Sequence, residues 1–171
     1  PEELADLLAA VRDIRLVITD SQVFQKVART VPETTPLTSF SLLMARYKGD
    51  LRTLAEGAAA LSALTDESRV LISEGCTHHR QCEDIGTVKM PAWIRSHCGA
   101  NPTFEFTQGR GFPDDVSGYD VVVHCGGCML NEKEMRWRQS VAAKSGTPMV
   151  NYGAAIACVH GILERSLRPL M

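Results

Sequence analysis

The sequence predicts an α/β protein of two small domains, each a short, mainly parallel sheet flanked by helices. Three observations support this prediction. Apolar stretches typical of buried strands alternate with stretches of helical spacing. The alternation starts again after a polar junction at residues 65–68, and all six cysteines follow that junction. We therefore expect one domain over residues 1–66 and a second over residues 67–171.

The first domain is predicted to alternate helices with two short strands. The helices are expected over residues 3–13, 23–31 and 51–64, and the strands over residues 15–20 and 37–43. So few elements cover little of a sheet, and a sheet with exposed edges gains stability by joining a second copy. We therefore predict a homodimer that forms through residues 1–66.

The second domain repeats the alternation with longer strands. Strands are expected over residues 69–74, 103–108, 119–124 and 149–152, and helices over residues 91–97, from a cap at Asn131 to Gly146, and over residues 154–167. In open α/β sheets, ligands bind beyond the carboxyl ends of the strands. If the strands 69–74 and 119–124 are parallel neighbours, Cys76 and Cys125 reach the same crevice.

Composition excludes several classes of protein. The 18 Lys and Arg residues nearly balance the 20 Asp and Glu residues, whereas a nucleic-acid binder shows a basic patch. No apolar run approaches the roughly 18 residues of a membrane span. The first residues lack the charged and apolar regions of a signal peptide. We therefore expect a cytoplasmic protein that binds neither nucleic acid nor membrane.

The cysteine pattern indicates a metal or redox site. Cys125 and Cys128 form a CxxC whose two glycines let the backbone turn tightly, just before the positive N-terminal end of a predicted helix. Cys76 supplies a third thiol. These residues alone leave open an iron–sulfur cluster, a structural zinc site in an interaction module, or the dithiol of an oxidoreductase. The spacing does not identify a fourth ligand, for which the neighbouring candidates are His78, His79, Cys82, Glu83 and His124.

Several segments resemble the iron–iron hydrogenase maturation factor family, HydF. They are EGCTHH (74–79), EDIG (83–86), KMP (89–91), HCGGCMLN (124–131) and NYGAAI (151–156), together with LLMARYKG (42–49) in the first half. The core of the resemblance is Cys-x-His, a gap of 45 residues, and His-Cys-x-x-Cys. The resemblance covers nearly the whole chain, and its core pattern is far more specific than a CxxC alone.

The resemblance implies a 4Fe–4S cluster with an exchangeable fourth ligand. The three thiolates and the carboxylate that it assigns are Cys76, Cys125, Cys128 and Glu83. His78 and His124 correspond to family histidines that lie at or near the site. Cys82 departs from the family pattern and, because it adjoins Glu83, it is a rival fourth ligand.

The function that the resemblance implies is that of a scaffold and carrier rather than an enzyme. Members of the family receive a two-iron precursor made by the maturases HydE and HydG and deliver it to the hydrogenase apoprotein HydA. They normally begin with a GTPase domain, but this chain has no GxxxxGK[ST] phosphate loop, and it starts inside an amphipathic helix without a Met, as a truncated chain would. We therefore expect no GTP binding or hydrolysis by this chain.

Overall fold

The computed structural model describes residues 2–77 and 84–171, in which two parallel sheets are flanked by eight α-helices. The predicted α/β class with two short parallel sheets is therefore confirmed. A single hydrophobic core extends through both parts, from Phe24 and Leu42 to Ile72, Val122 and Ile156. No helix in these residues is long and apolar enough to cross a membrane.

The elements follow one another in a regular order. The strands are β1 (Val17–Thr19), β2 (Leu37–Ser39), β3 (Arg69–Glu74), β4 (Thr103–Gln108), β5 (Val121–His124) and β6 (Met149–Asn151). The α-helices are α1 (Glu2–Ala10), α2 (Phe24–Thr30), α3 (Phe40–Lys48), α4 (Leu51–Glu56), α5 (Met90–Cys98), α6 (Glu132–Lys144), α7 (Tyr152–Val159) and α8 (Leu163–Leu167). Short 3-10 helices cover Ser21–Val23 and Gly57–Ala63, and a π-helical turn covers Ile85–Lys89.

The smaller sheet pairs β1 with β2 in parallel, and the predicted strand over residues 37–43 proves too long. It ends at Ser39, whose hydroxyl accepts a hydrogen bond from the Leu42 amide and caps α3. Leu42 and Ala45 then bury one face of that helix. A serine cap followed by apolar residues three apart favours a helix over the β-capable side chains, and this decides the structure of residues 40–48.

The larger sheet has the order β4-β3-β5-β6, and all its strands are parallel. The prediction that residues 69–74 and 119–124 are parallel neighbours is confirmed, with Ile72 opposite Val123 and Ser73 opposite His124. Both central strands are buried apolar runs, as expected where helices cover both faces of a sheet. The two chain segments that follow β3 and β5 therefore leave the sheet side by side.

Two predicted helices are interrupted for identifiable reasons. The helix expected over residues 154–167 is divided into α7 and α8 at Gly161, which has a left-handed φ of 69°. The helix expected over residues 51–64 changes to 3-10 geometry at Gly57, which lies directly against the Met149 carbonyl of β6. Any Cβ at Gly57 would collide with that backbone oxygen.

We expect Gly57→Ala to lower the free energy of unfolding by about 1–3 kcal/mol, because the added methyl forces the 3-10 helix away from β6. Gly118→Ala is the matched control, since its Cβ would meet only the mobile end of Arg69 at 3.3 Å. That control should stay within about 0.5 kcal/mol of the wild type. Urea unfolding measures both, and equal stabilities for the two variants would contradict the close packing.

Candidate metal centre

The structure brings the two predicted cysteine-bearing loops together through a hydrogen bond to sulfur. The Gly75 amide, just after β3, donates to Cys125 Sγ, just after β5, at 3.0 Å. The Gly127 amide donates to the same sulfur at 3.4 Å. Cys76 and Cys125 are partly buried and Cys128 is exposed. The thiols that follow β3 and β5 thus lie at one edge of the sheet, as parallel pairing requires.

Burial and two backbone amides define the environment of Cys125 Sγ. Burial raises the pKa of the Cys125 thiol, and the nearby Cys76 and Glu74 charges act in the same direction, while the Gly75 and Gly127 amides oppose them. An attacking dithiol needs the opposite shift, a lowered pKa. A metal instead displaces the thiol proton and keeps the two N–H donors.

Backbone geometry makes glycine necessary in the Cys125–Cys128 turn. Gly127 has a φ of 63°, a left-handed conformation that other L-residues rarely adopt. A Cβ there would also lie 2.8 Å from Met135 Sδ. Downstream, the Asn131 side chain accepts a hydrogen bond from the Glu134 amide at 2.8 Å, and this is the predicted cap of α6.

His124 is fully buried, and both of its ring nitrogens are engaged. Nδ1 lies 2.7 Å from the Cys125 carbonyl oxygen, and Nε2 lies 3.0 Å from Arg138 Nη1. Because a carbonyl can only accept, Nδ1 carries the proton and Nε2 accepts from Arg138. Burial lowers the pKa of His124 to about 4, and the Arg138 charge acts in the same direction. In this geometry His124 orients the Cys125 backbone; a role as metal ligand stays a prediction.

Arg138 joins the elements that surround the site, although no pattern in the sequence points to it. Its guanidinium donates to the Gly109 carbonyl at 2.6 Å and to Glu134 Oε1 at 2.9 Å, in addition to His124. It also lies 5.0 Å from the Phe112 ring centre. The Arg138 side chain is only 1% exposed, and its bond to His124 is buried, while the Glu134 side chain is partly exposed. Arg138 therefore ties the ends of β4 and β5 to α6.

A buried acid lies beside the cysteines. Glu74 is 3% exposed, and its Oε1 accepts a hydrogen bond from the Tyr152 hydroxyl at 3.4 Å. Burial raises the pKa of Tyr152, and the neighbouring Glu74 charge raises it further, so the phenol keeps its proton. On this side a cleft of about 310 Å³ opens next to Cys128, between Phe40 and Met44 of α3 and Tyr152 of α7. The cleft gives a ligand room beside the exposed thiol.

The other predicted ligands lie outside the described residues. They are His78, His79, Cys82 and Glu83. Within residues 2–77 and 84–171, no three His, Cys, Asp or Glu side chains are grouped closely enough to hold one metal ion. The fourth ligand therefore stays a prediction.

Comparison with protein families agrees with the resemblance seen in the sequence. Residues 1–49 match the hydrogen maturase F dimerization domain, and residues 52–169 match the hydrogen maturase F tetramerization domain. The chain belongs to the HydF family. No curated protein sequence matches it. The two HydF domains are domains of self-association and assign the chain to hydrogenase maturation.

The HydF matches also locate the cysteines. Cys76, Cys125 and Cys128 all fall within the tetramerization match over residues 52–169, together with the whole larger sheet. The smaller sheet and α3 fall within the dimerization match over residues 1–49. The two matches meet near residue 50, whereas the domain boundary after residue 66 that we expect from the sequence stays a prediction.

We expect the metal-free protein to lose stability as the pH falls from 6.5 to 4, partly through His124. The unfolded histidine takes up a proton near pH 6.5, whereas the folded one resists until about pH 4, so acid favours the unfolded chain. This difference corresponds to about 3 kcal/mol. His124→Gln, whose amide can replace both hydrogen bonds, should remove that part of the pH dependence in urea unfolding.

His97→Gln is the control for this measurement. The His97 ring lies 2.9 Å from the Ser62 hydroxyl and 4.0 Å from Cys158 Sγ, whereas the His124 ring contacts the Cys125 carbonyl and Arg138. The His97→Gln variant should lose as much free energy of unfolding between pH 6.5 and 4 as the wild type does. If the free energy of unfolding of His124→Gln falls with pH as steeply as that of the wild type, the fold does not hold His124 neutral.

Proposed function

We propose that this chain is a scaffold that binds a 4Fe–4S cluster through Cys76, Cys125 and Cys128. On it, the two-iron precursor of the hydrogenase active-site cluster is assembled or carried to the apoprotein HydA. The observation that supports this most directly is the Gly75 amide donating to Cys125 Sγ at 3.0 Å. It draws together the two cysteine-bearing loops of a chain that belongs to the HydF family.

The donor set fits an iron–sulfur cluster. Iron–sulfur clusters are held by cysteine thiolates, and their potentials depend on hydrogen bonds to sulfur of the kind that Gly75 and Gly127 make to Cys125. A cluster also places its thiolates on separate iron atoms, so they need not converge on one point as around a single ion. When bound, the cluster supplies an iron atom at which the fourth ligand can be exchanged.

The exchangeable ligand is Glu83 in this proposal, with Cys82 and His78 as rivals. A hard carboxylate is a poorer partner than thiolate for iron–sulfur iron and is displaced more readily. The two-iron precursor, which is cargo, would bind in place of Glu83 and later be released. The cleft beside Cys128 gives it room, and the proposed partners are the maturases HydE and HydG and the apoprotein HydA.

The proposed carrier works in the cytoplasm as an oligomer and catalyses no reaction of its own. The raised pKa of Cys125 gives no support to the dithiol oxidoreductase that the CxxC allows. The structural zinc site of an interaction module is the other alternative. Metal analysis separates it from a cluster, because zinc lacks the colour and the redox response of iron and sulfide.

We expect Cys76→Ser to lose most of the iron that the wild type binds after anaerobic reconstitution, because one of three thiolates is missing. Iron and sulfide analysis with visible absorbance measures this. Cys98→Ser is the control, since the Cys98 sulfur faces the Arg95 and Ala100 carbonyls at the end of α5. Full iron content in Cys76→Ser, or colourless protein that retains zinc, would reject the cluster.

We expect Glu83→Cys to hold the cluster more tightly and to activate HydA less well. A thiolate in the fourth position slows loss of iron to a chelator, by about tenfold, and blocks access of the precursor. Cys82→Ser should change neither property if Glu83 is the ligand. Chelator kinetics and hydrogen evolution by HydA are the measurements, and unchanged activation by Glu83→Cys would contradict the exchangeable carboxylate.

A further inference from the structure

Lys48, the last residue of α3, binds the backbone that carries Cys128. Its ammonium lies 3.1 Å from the Gly127 carbonyl oxygen, 2.8 Å from that of Cys128 and 2.7 Å from that of Leu130. An ammonium has three protons, so three carbonyl acceptors use its full donor capacity. The bonds to the Gly127 and Leu130 carbonyls are partly buried, which strengthens these charged hydrogen bonds, while the bond to the Cys128 carbonyl is exposed.

The cysteine loop, residues 125–130, depends on hydrogen bonds from outside the loop. It belongs to neither β5 nor α6, and its own backbone bond is a single turn from the Leu130 amide to the Gly127 carbonyl at 3.0 Å. Carbonyl groups outside regular structure need other donors when they are shielded from water. Lys48 supplies them to three carbonyls at once, including that of Cys128 itself.

The first turn of α3 holds the neighbouring part of the site. The Ser41 hydroxyl accepts hydrogen bonds from the Gly153 amide at 3.0 Å and from Asn151 Nδ2 at 3.1 Å. Gly126 packs so closely on Ser41 that a Cβ there would lie 3.2 Å from the hydroxyl oxygen. The helix therefore contacts the cysteine loop with Ser41 at its start and with Lys48 at its end.

We propose that Lys48 is a positioning residue that locks the cysteine loop and thereby presents Cys128 to the cluster. This inference rests on the proposed function. The residue lies in the dimerization match and the loop lies in the tetramerization match, so the first domain completes the site of the second. The ammonium also brings a positive charge close to an anionic cluster. It stabilises the reduced cluster, which carries one more negative charge, more than the oxidised one.

The first test uses metal-free protein and is independent of the cluster. Hydrogen–deuterium exchange of the backbone amides of residues 125–130 should be about tenfold faster in Lys48→Met than in the wild type. The three carbonyls lose a charged donor there, so the loop opens more often and exposes its amides. Lys48→Arg should restore most of the protection. Lys133→Met is the matched control, since it removes the same charge from an exposed residue in the first turn of α6.

The second test uses reconstituted protein. Lys48→Met should lose iron to a chelator faster than the wild type and show a more negative reduction potential, whereas Lys48→Arg should approach wild-type behaviour on both. Lys133→Met should retain iron as the wild type does. A simple loss of stability would not shift the potential in protein that still holds its cluster, so this readout separates positioning from folding.

The outcomes distinguish the two proposals. If the wild type takes up no iron, the proposal of a 4Fe–4S cluster is wrong. The amide exchange rates still decide whether Lys48 holds the loop in place. If Lys48→Met matches the wild type in exchange, iron retention and potential, the inference about Lys48 is wrong. Lys48→Gln keeps two N–H donors without the charge, and it provides an intermediate variant should Lys48→Met fail to fold.

Discussion

The parallel pairing of β3 with β5 fixes the position of the entire candidate site. A parallel register brings equivalent strand ends to the same edge of a sheet, so Ser73 lies beside His124 and the chain leaves both strands together. The Gly75 amide can then reach Cys125 Sγ, although 50 residues separate them. A shift of the register by one residue would exchange the faces of β5, turning His124 away from Arg138 and Cys125 away from Gly75.

Two long cationic side chains stabilise the irregular backbone beyond that edge. Arg138 binds the Gly109 carbonyl and, through His124, the Cys125 carbonyl, whereas Lys48 binds the carbonyls of Gly127, Cys128 and Leu130. Loops that hold ligands need defined geometry but have no ladder of their own to supply it. Here these cations do so, and because the three acceptors of Lys48 are neutral carbonyls, its positive charge is not cancelled by them.

The sequence predicted the parts of the fold that local patterns determine. The strands predicted over residues 69–74 and 103–108 have the observed bounds, and the Asn131 cap marks the start of α6 as predicted. The sequence prediction failed at one local signal and at one tertiary contact. Residues 40–43 became helix behind the Ser39 cap, and Gly57 met the backbone of β6. The cysteines were found because a thiol is rare and its spacing informative, whereas Lys48 and Arg138 resemble any surface cation until the fold surrounds them.

Charge balance explains why such cations occur at this site. In the proposed carrier, three cysteine thiolates and a 4Fe–4S cluster would bring negative charge beside the buried Glu74 side chain, where burial makes mutual repulsion costly. The Lys48 ammonium and the N-terminal end of α6 oppose that repulsion. Arg138 is partly neutralised by Glu134 and contributes mainly geometry. Since Lys48 lies in the other domain match, its charge reaches the loop that carries Cys128 only when both parts of the chain pack together.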